Sequence, residues 1–188
     1  MKRALLEAAT KLLDADGIAA VTIRAVAREV GVSHAAPVNH YKNRSALLTA
    51  IAAVEFEAMR ADIEKRLKRP DLSPADRIEV IPSAMLDYGL QHPNRYQLLW
   101  HREQVDYADP RILQVTDSIY YGLCNEIKAA LPDANIDPDT VAISLWSMVH
   151  GYVDMRLNGM FLDKTDTATG LPRKRAMLDL LRVSLGLS

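Results

Sequence analysis

The stretch from Val21 to Leu48 constrains the fold more than any other part of the chain. It reads Val-Thr-Ile-Arg-Ala-Val-Ala-Arg-Glu-Val, then Gly31, then Val-Ser-His-Ala-Ala-Pro-Val-Asn-His-Tyr, then Lys-Asn-Arg-Ser-Ala-Leu-Leu. Thr22 can cap a helix whose buried face is Ile23, Val26, Ala27 and Val30, at i, i+3, i+4 and i+7. Gly31 makes the turn. Ser33 can cap a second helix that ends near His40, and Asn43 a third that continues to about Lys68. Two short helices joined at a glycine are the sequence form of a helix-turn-helix, whose second helix can enter the major groove of DNA.

The rest of the chain has the same helical character. No segment alternates as a strand does, and almost every long segment carries helical spacing. A first helix is expected over about Lys2–Ala15, with Leu5, Ala9, Leu12 and Leu13 inward and Gly17 as its stop. Pro70 and Pro74 mark the clearest boundary, ending one helix and starting the next over about Ala75–Gln91. Pro93 restarts a short helix to about Glu103, and Asp109-Pro110 opens another that Pro132 closes. Asp137-Pro138 supplies an N-cap and a first-turn proline for a helix reaching about Asn158. A polar loop over 160–171 precedes a last helix from Pro172 to near Gly186. The expectation is an all-α protein of about nine helices. A three-helix unit occupies residues 1–48, and a larger helical body occupies 49–188.

Charge narrows the partners. The 188 residues carry a net charge of −1, which argues against coating nucleic acid nonspecifically. Residues 1–60 carry eight Lys/Arg against six Asp/Glu, a net of +2, and the remainder is −3. Between Ala20 and Ala46 stand Arg24, Arg28, Lys42 and Arg44 against Glu29 alone. Such a segment fits either one small DNA-touching surface or a solvated helix face. A single cysteine, Cys124, leaves no internal disulfide and no cysteine-based zinc site. The near-apolar run Val141–Val153 is too short to span a bilayer, and the N-terminus enters an amphipathic helix directly. The cytoplasm is the expected compartment. His101-Arg102-Glu103 and His92-Pro93-Asn94 lack the spacing of a zinc protease, and no Ser-His-Asp set stands out, so no catalytic residue, metal or cofactor is expected.

In the helix after Gly31, Val32, Pro37 and Tyr41 should face inward, leaving His34, Ala35, Val38 and Asn39 outward. A solvated helix more often carries Lys, Glu and Gln. Short side chains instead let a helix backbone approach the bases. Asn39 can pair with an adenine edge, Val38 can pack on a thymine methyl, and His34 can donate to a base or phosphate oxygen. Pro37 removes a backbone donor at the end of the first turn and can shift the helix axis. Arg44 opposes the helix dipole by about 0.3–1 kcal/mol, yet free N–H groups at that helix start attract a phosphate that Arg44 would help to clamp.

This region, about residues 3–50, resembles the N-terminal DNA-binding domain of TetR-type transcriptional regulators. The matching elements are Leu5…Ala9…Leu12 with Gly17, Thr22-x-Arg24, Ala27, Gly31-Val32-Ser33, His40-Tyr41 and Lys42-Asn43-Arg44-Ser45-Ala46-Leu47-Leu48. The resemblance implies phosphate contacts from Thr22 and Arg24, and groove-facing Ser33, His34, Ala35, Val38 and Asn39. It implies that His40, Lys42 and Arg44 hold the backbone and that Tyr41 packs. Val38 stands where the family often has an aromatic, and Met1 lies at helix one without the basic arm many members have, so fewer DNA contacts are expected.

In the body, Val141–Val153 is apolar nearly all round, which implies burial on more than one side, one of them against a partner subunit. Ser144, Ser147 and Gly151 form a small-residue stripe, and Met177, Leu178, Leu181 and Leu185 a second apolar face. TetR-type regulators commonly dimerise through their last two long helices, so the resemblance implies a homodimer. Trp146-x-x-x-His150-Gly151 looks like the C-terminal domain of the subgroup named for Trp, His and Gly. The family also implies an effector pocket, for which Met85, Tyr88, Leu99, Trp100, Tyr120, Cys124, Trp146 and His150 are candidates. Each reads equally as core at helical spacing, and their chemistry suits a small, largely apolar effector.

The expected function is a sequence-specific, dimeric DNA-binding regulator, a repressor on a palindromic double-stranded operator, released by ligand and distinct from any enzyme. Two other readings use the same residues. One is a helical ligand-binding dimer whose DNA unit has decayed, given the sparse base-capable set. The other is a metal-dependent hydrolase on a helical scaffold, for which no ligand cluster is visible.

Overall fold

The computed structural model describes residues 1–33, 35–161 and 164–187. Among them are eight α-helices: α1 (Lys2–Asp16), α2 (Ile23–Val30), α3 (Arg44–Leu67), α4 (Pro74–Gln91), α5 (Pro93–Leu99), α6 (Pro110–Ala130), α7 (Pro138–Leu157) and α8 (Arg173–Ser184). Two 3-10 turns add Ile18–Ala20 and Pro37–Asn39. The chain is all-α, as expected.

Two of the expected helices come out differently. Residues 35–40 form turns and not an α-helix. Pro37 has no N–H to offer the Ser33 carbonyl, which accepts instead from the Ala36 N–H at 3.0 Å. The Pro37 carbonyl then takes both the His40 N–H (3.0 Å) and the Tyr41 N–H (2.8 Å). The result is a tightened turn in place of a regular helix. The helix from Pro93 stops at Leu99, short of Glu103, and residues 101–105 close a turn on the His101 carbonyl.

The chain forms two compact units. The first comprises residues 1–58 and 91–116, the second 59–90 and 117–188. Residues 49–58 and 91–116 group with the N-terminal helices in the first unit. The reason is non-local. α1 packs on both α2 and α5, and the α5 region is tied to α1 by Arg95.

In the first unit, Leu5, Ala8, Ala9 and Leu13 of α1 meet the same core as Val26 and Ala27 of α2 and Leu47, Leu48 and Ile51 of α3. Each large apolar side chain so buried contributes about 1.5–3 kcal/mol. Arg95 forms a fork on Asp14 (2.7 and 2.5 Å) and reaches both oxygens of buried Glu55 at 3.2 Å, and Asn94 Nδ2 donates to the Asp14 carbonyl at 3.0 Å. The Arg95 hydrogen bond holds the Asp14 carboxyl below its usual range.

In the second unit, a capping box starts α4: Ser73 Oγ accepts from the Asp76 N–H (3.1 Å), and Asp76 Oδ2 accepts from the Ser73 N–H (3.0 Å). Glu79, 5% exposed, accepts from Arg175 (2.6 Å) and lies 3.4 Å from Arg182, which also donates to Asp76 at 3.0 Å. Lys174 donates to Asp87 at 2.5 Å. Together with buried Leu178, these charges seat α8 against α4. Asp137 caps α7 through the Asp139 N–H (3.1 Å), with Pro138 in the first turn.

Candidate nucleic-acid interface

The helix-turn-helix begins as its residues dictate. Thr22 has extended backbone, and its Oγ1 accepts from the Ala25 N–H at 3.1 Å, an N-cap for α2. Gly31 ends α2 with φ 73° and ψ 33°, a left-handed conformation that favours glycine. Beyond it, Pro37 and Tyr41 are buried, and the Tyr41 hydroxyl donates to the Lys2 carbonyl at 3.3 Å. Asn43 Oδ1 accepts from the Ala46 N–H at 2.8 Å, a bond that spans the start of α3.

What remains outward matches most of the expected set. Thr22, Arg24, Ser33, Ala35, Val38, Asn39, His40 and Lys42 are all exposed, and Val38 keeps 50% of its surface in solvent. His34 lies outside the described residues. Arg28, also exposed, is a further cation close by, and Glu29 is paired with Lys11 at 2.6 Å.

Arg44 is placed otherwise than a phosphate clamp requires. It is half-buried, and its Nε–H donates to the Val21 carbonyl at 2.7 Å. One terminal nitrogen donates to the Ile18 carbonyl at 2.6 Å and the other to Gln104 Oε1. No local pattern announced this, because Gln104 lies sixty residues away in sequence.

The eight effector-pocket candidates are spread over both units. Leu99 is buried in the first unit, and there Trp100 packs edge-on against Phe56 at 5.6 Å. In the second unit, Met85 is buried in α4 and Tyr88 is half-buried. Tyr120, Trp146 and His150 do come together: Trp146 lies 5.8 Å from Tyr120 and 5.6 Å from His150. The Tyr120 hydroxyl donates to Asp139 at 2.5 Å, which with burial pushes its pKa up to about 12. Burial pushes the Cys124 thiol up and holds His150 down at about 4. A cavity of about 680 Å³ in this unit is lined by Met148, Tyr152, Phe161, Lys164, Arg173 and Met177, none of them among the eight.

The expected dimer-interface residues are mostly outward. Ser144, Ser147 and Gly151 of α7 are exposed, flanked by Ile143 (51%) and Met155 (38%). On α8, Met177, Leu181 and Leu185 are half-buried, while Leu180 (70%) and Val183 (75%) are the outward apolar residues that the spacing missed. Leu178 is 3% exposed and belongs to this chain's own core.

Among the described residues, no group of three or more His, Cys, Asp or Glu could hold a metal, and no helix is long and apolar enough to cross a membrane.

Comparison with known proteins agrees with the geometry. Residues 5–51 match the family described as bacterial regulatory proteins, tetR family, and residues 79–177 match the tetracyclin repressor-like C-terminal domain. A helix-turn-helix transcriptional regulator of Mycobacterium tuberculosis, itself uncharacterised, is 26% identical over 171 residues, covering 88% of this chain and 74% of that one. Among solved structures, a Rhodococcus protein of unknown function superposes with a TM-score of 0.81 at 24% identity, over 97% of this chain and 94% of that chain. A possible TetR family regulator from Streptomyces coelicolor gives a TM-score of 0.68 at 16% identity, over 99% and 97%. BioQ, solved with its double-stranded DNA operator, gives 0.65 at 24% identity, over 100% and 99%. With a family match over more than half its length and a capped helix-turn-helix presenting short polar side chains, the chain belongs to the TetR family of DNA-binding transcriptional regulators, and it is not an enzyme.

Proposed function

We propose that this regulator is a cytoplasmic homodimer that binds a palindromic double-stranded operator as a repressor and is released by a small, largely apolar effector. The observation that carries the DNA half of this reading is the exposure of Ser33, Ala35, Val38, Asn39, His40 and Lys42 around buried Pro37 and Tyr41. Its outward members are short, so the backbone can approach base edges. Asn39 suits an adenine edge and Val38 a thymine methyl. Thr22, Arg24, His40 and Lys42 take positioning contacts to phosphate. BioQ, a structural relative, is bound to its operator DNA.

The dimer half is supported by the outward apolar residues of α7 and α8, since contiguous apolar surface on a soluble protein marks an interaction site. One copy reads only a few bases. Two copies read half-sites one or more helical turns apart, roughly 34–36 Å per turn. The effector half is supported by the 680 Å³ cavity of the C-terminal unit, within the usual range for small-molecule sites. An effector releases DNA only insofar as it binds the released state more tightly.

A gel shift against the DNA upstream of its own gene tests the reading. Binding by two chains per site, abolished or strongly weakened in Arg24→Ala, is the expected result. Binding by one chain, insensitive to Arg24→Ala, is the opposing one.

A further inference from the structure

Arg44 sits at the first position of α3, where a cation opposes the helix dipole. Its guanidinium nonetheless faces inward, onto neutral oxygens. Nε–H and one terminal nitrogen grip the Val21 and Ile18 carbonyls, which bracket the 3-10 turn Ile18–Ala20. The Ile18 carbonyl also accepts the Val21 N–H at 3.2 Å, so the planar arginine fork braces a turn that is already closed. Val21 directly precedes Thr22, the N-cap of α2. The third arm reaches Gln104, in the turn that follows α5.

That turn is fixed to the start of α3 at further points. Ser45 Oγ donates to the Gln104 carbonyl at 3.1 Å, and Thr49 Oγ1, in a residue 3% exposed, accepts from the Asp106 N–H at 3.0 Å. Buried Val105 lies between them. A continuous bonded path therefore runs from Gln104 through Arg44 and Val21 to the N-cap of α2, whose first residues include the exposed Thr22 and Arg24.

We propose that Arg44 is a positioning residue for DNA binding, not a phosphate contact, and that through it the turn at Gln104 sets the seat of the α2 N-terminus. A displacement of the 101–106 turn is then felt at Thr22 and Arg24 without any change in the residues that touch DNA. The proposal rests on the operator-binding reading for its consequence, but its first test does not.

The first test is hydrogen–deuterium exchange on the full-length DNA-free protein, comparing wild type with Arg44→Ala, Arg44→Lys and Gln104→Ala. The amides of Val21, Thr22 and Ala25 should exchange about tenfold faster in Arg44→Ala. Gln104→Ala should give a few-fold increase, with α1 unchanged. Lysine cannot reproduce a three-point fork, so Arg44→Lys should fall between wild type and alanine. Wild-type exchange at these amides in Gln104→Ala overturns the proposal, and that variant keeps the test valid should Arg44→Ala fail to fold.

The second test is a salt titration of binding to a duplex that the wild-type protein enriches from a random pool, with active fractions fixed by stoichiometric titration. Arg44→Ala should weaken binding about tenfold. The slope of log affinity against log salt should stay unchanged, because no phosphate contact is lost. Gln104→Ala should weaken binding in the same direction, and the double variant should be no worse than Arg44→Ala alone. A slope smaller by about 0.9 per Arg44 removed, with Gln104→Ala at wild-type affinity, makes Arg44 a phosphate ligand and overturns the proposal. Should no duplex be enriched, the operator reading fails, while the exchange result still decides the role of Arg44.

Discussion

The stretch from Thr22 to Lys42 in one unit and the outer residues of α7 and α8 in the other present different kinds of surface. Among the described residues left outward between Thr22 and Lys42 in the N-terminal unit, most are short, polar or basic, and Val38 is the one large apolar exception. In the C-terminal unit, the outward residues of α7 and α8 include Ile143, Met155, Leu180 and Val183. The difference points to the partner: a polar, short-chained face suits base edges and phosphates, and an apolar one suits a second protein surface. Arginine follows the same division. Arg44 spends its donors on neutral oxygens around the start of α2, whereas Arg175 and Arg182 hold α8 on the carboxylates of Glu79 and Asp76.

The largest expected effect strikes the anchoring charges. Arg95→Ala removes two ion pairs, to Asp14 and to buried Glu55, and should destabilise the protein by about 3 kcal/mol. Arg175→Ala should cost clearly less, because Arg182 stays near Glu79. Urea denaturation of the two variants measures the contrast, and equal losses would break it.

Next in size is the apolar face. Leu180→Asp with Val183→Asp should turn the proposed dimer into a monomer in sedimentation velocity and lower operator affinity about 100-fold through lost bivalency. If the variant stays dimeric, the partner surface lies elsewhere. Smaller again is base reading. Asn39→Ala should cost about 1–2 kcal/mol at one position of each half-site and relax preference there, whereas Lys42→Ala should weaken all sequences alike and lower the salt slope. Competition between matched and single-mismatch duplexes separates the two.

The smallest effect is a pH response. Burial holds His150 down at about 4 in the folded state, against about 6.5 when unfolded. The unfolded chain therefore binds more protons between those values, and stability should fall as pH drops from about 6.5 toward 4. The loss at pH 5.5 should be about 1 kcal/mol or less, and His150→Gln should flatten it. Carboxylates whose pKa values are lowered, such as Asp14 and Asp76, act only below about pH 5, so at pH 5.5 they do not mimic the response.

Local chemistry made much of this legible in the sequence. Thr22, Asn43 and Asp137 hydrogen-bond at helix starts where the sequence placed them, and Gly31 turns where expected, since each acts through residues two or three positions away. Pro37 was visible too, but its consequence was larger than an axis shift: with one donor lost in so short a segment, Pro37–Asn39 forms a 3-10 turn in place of a regular helix. What the sequence could not supply was long-range. Gln104 capturing Arg44, Arg95 drawing α5 to Asp14, and Leu178 turned into its own core each depend on partners far along the chain. The inward arginine at the start of α3 has the composition of a phosphate contact and the geometry of a strut.

Selection of random duplexes by the full-length protein tests the central claim most directly. The account predicts enrichment of an inverted repeat whose half-sites are separated by whole helical turns, with the preference weakened at one base pair per half-site in Asn39→Ala. A pool that yields no enriched sequence, or an asymmetric site bound by a single chain, would contradict it.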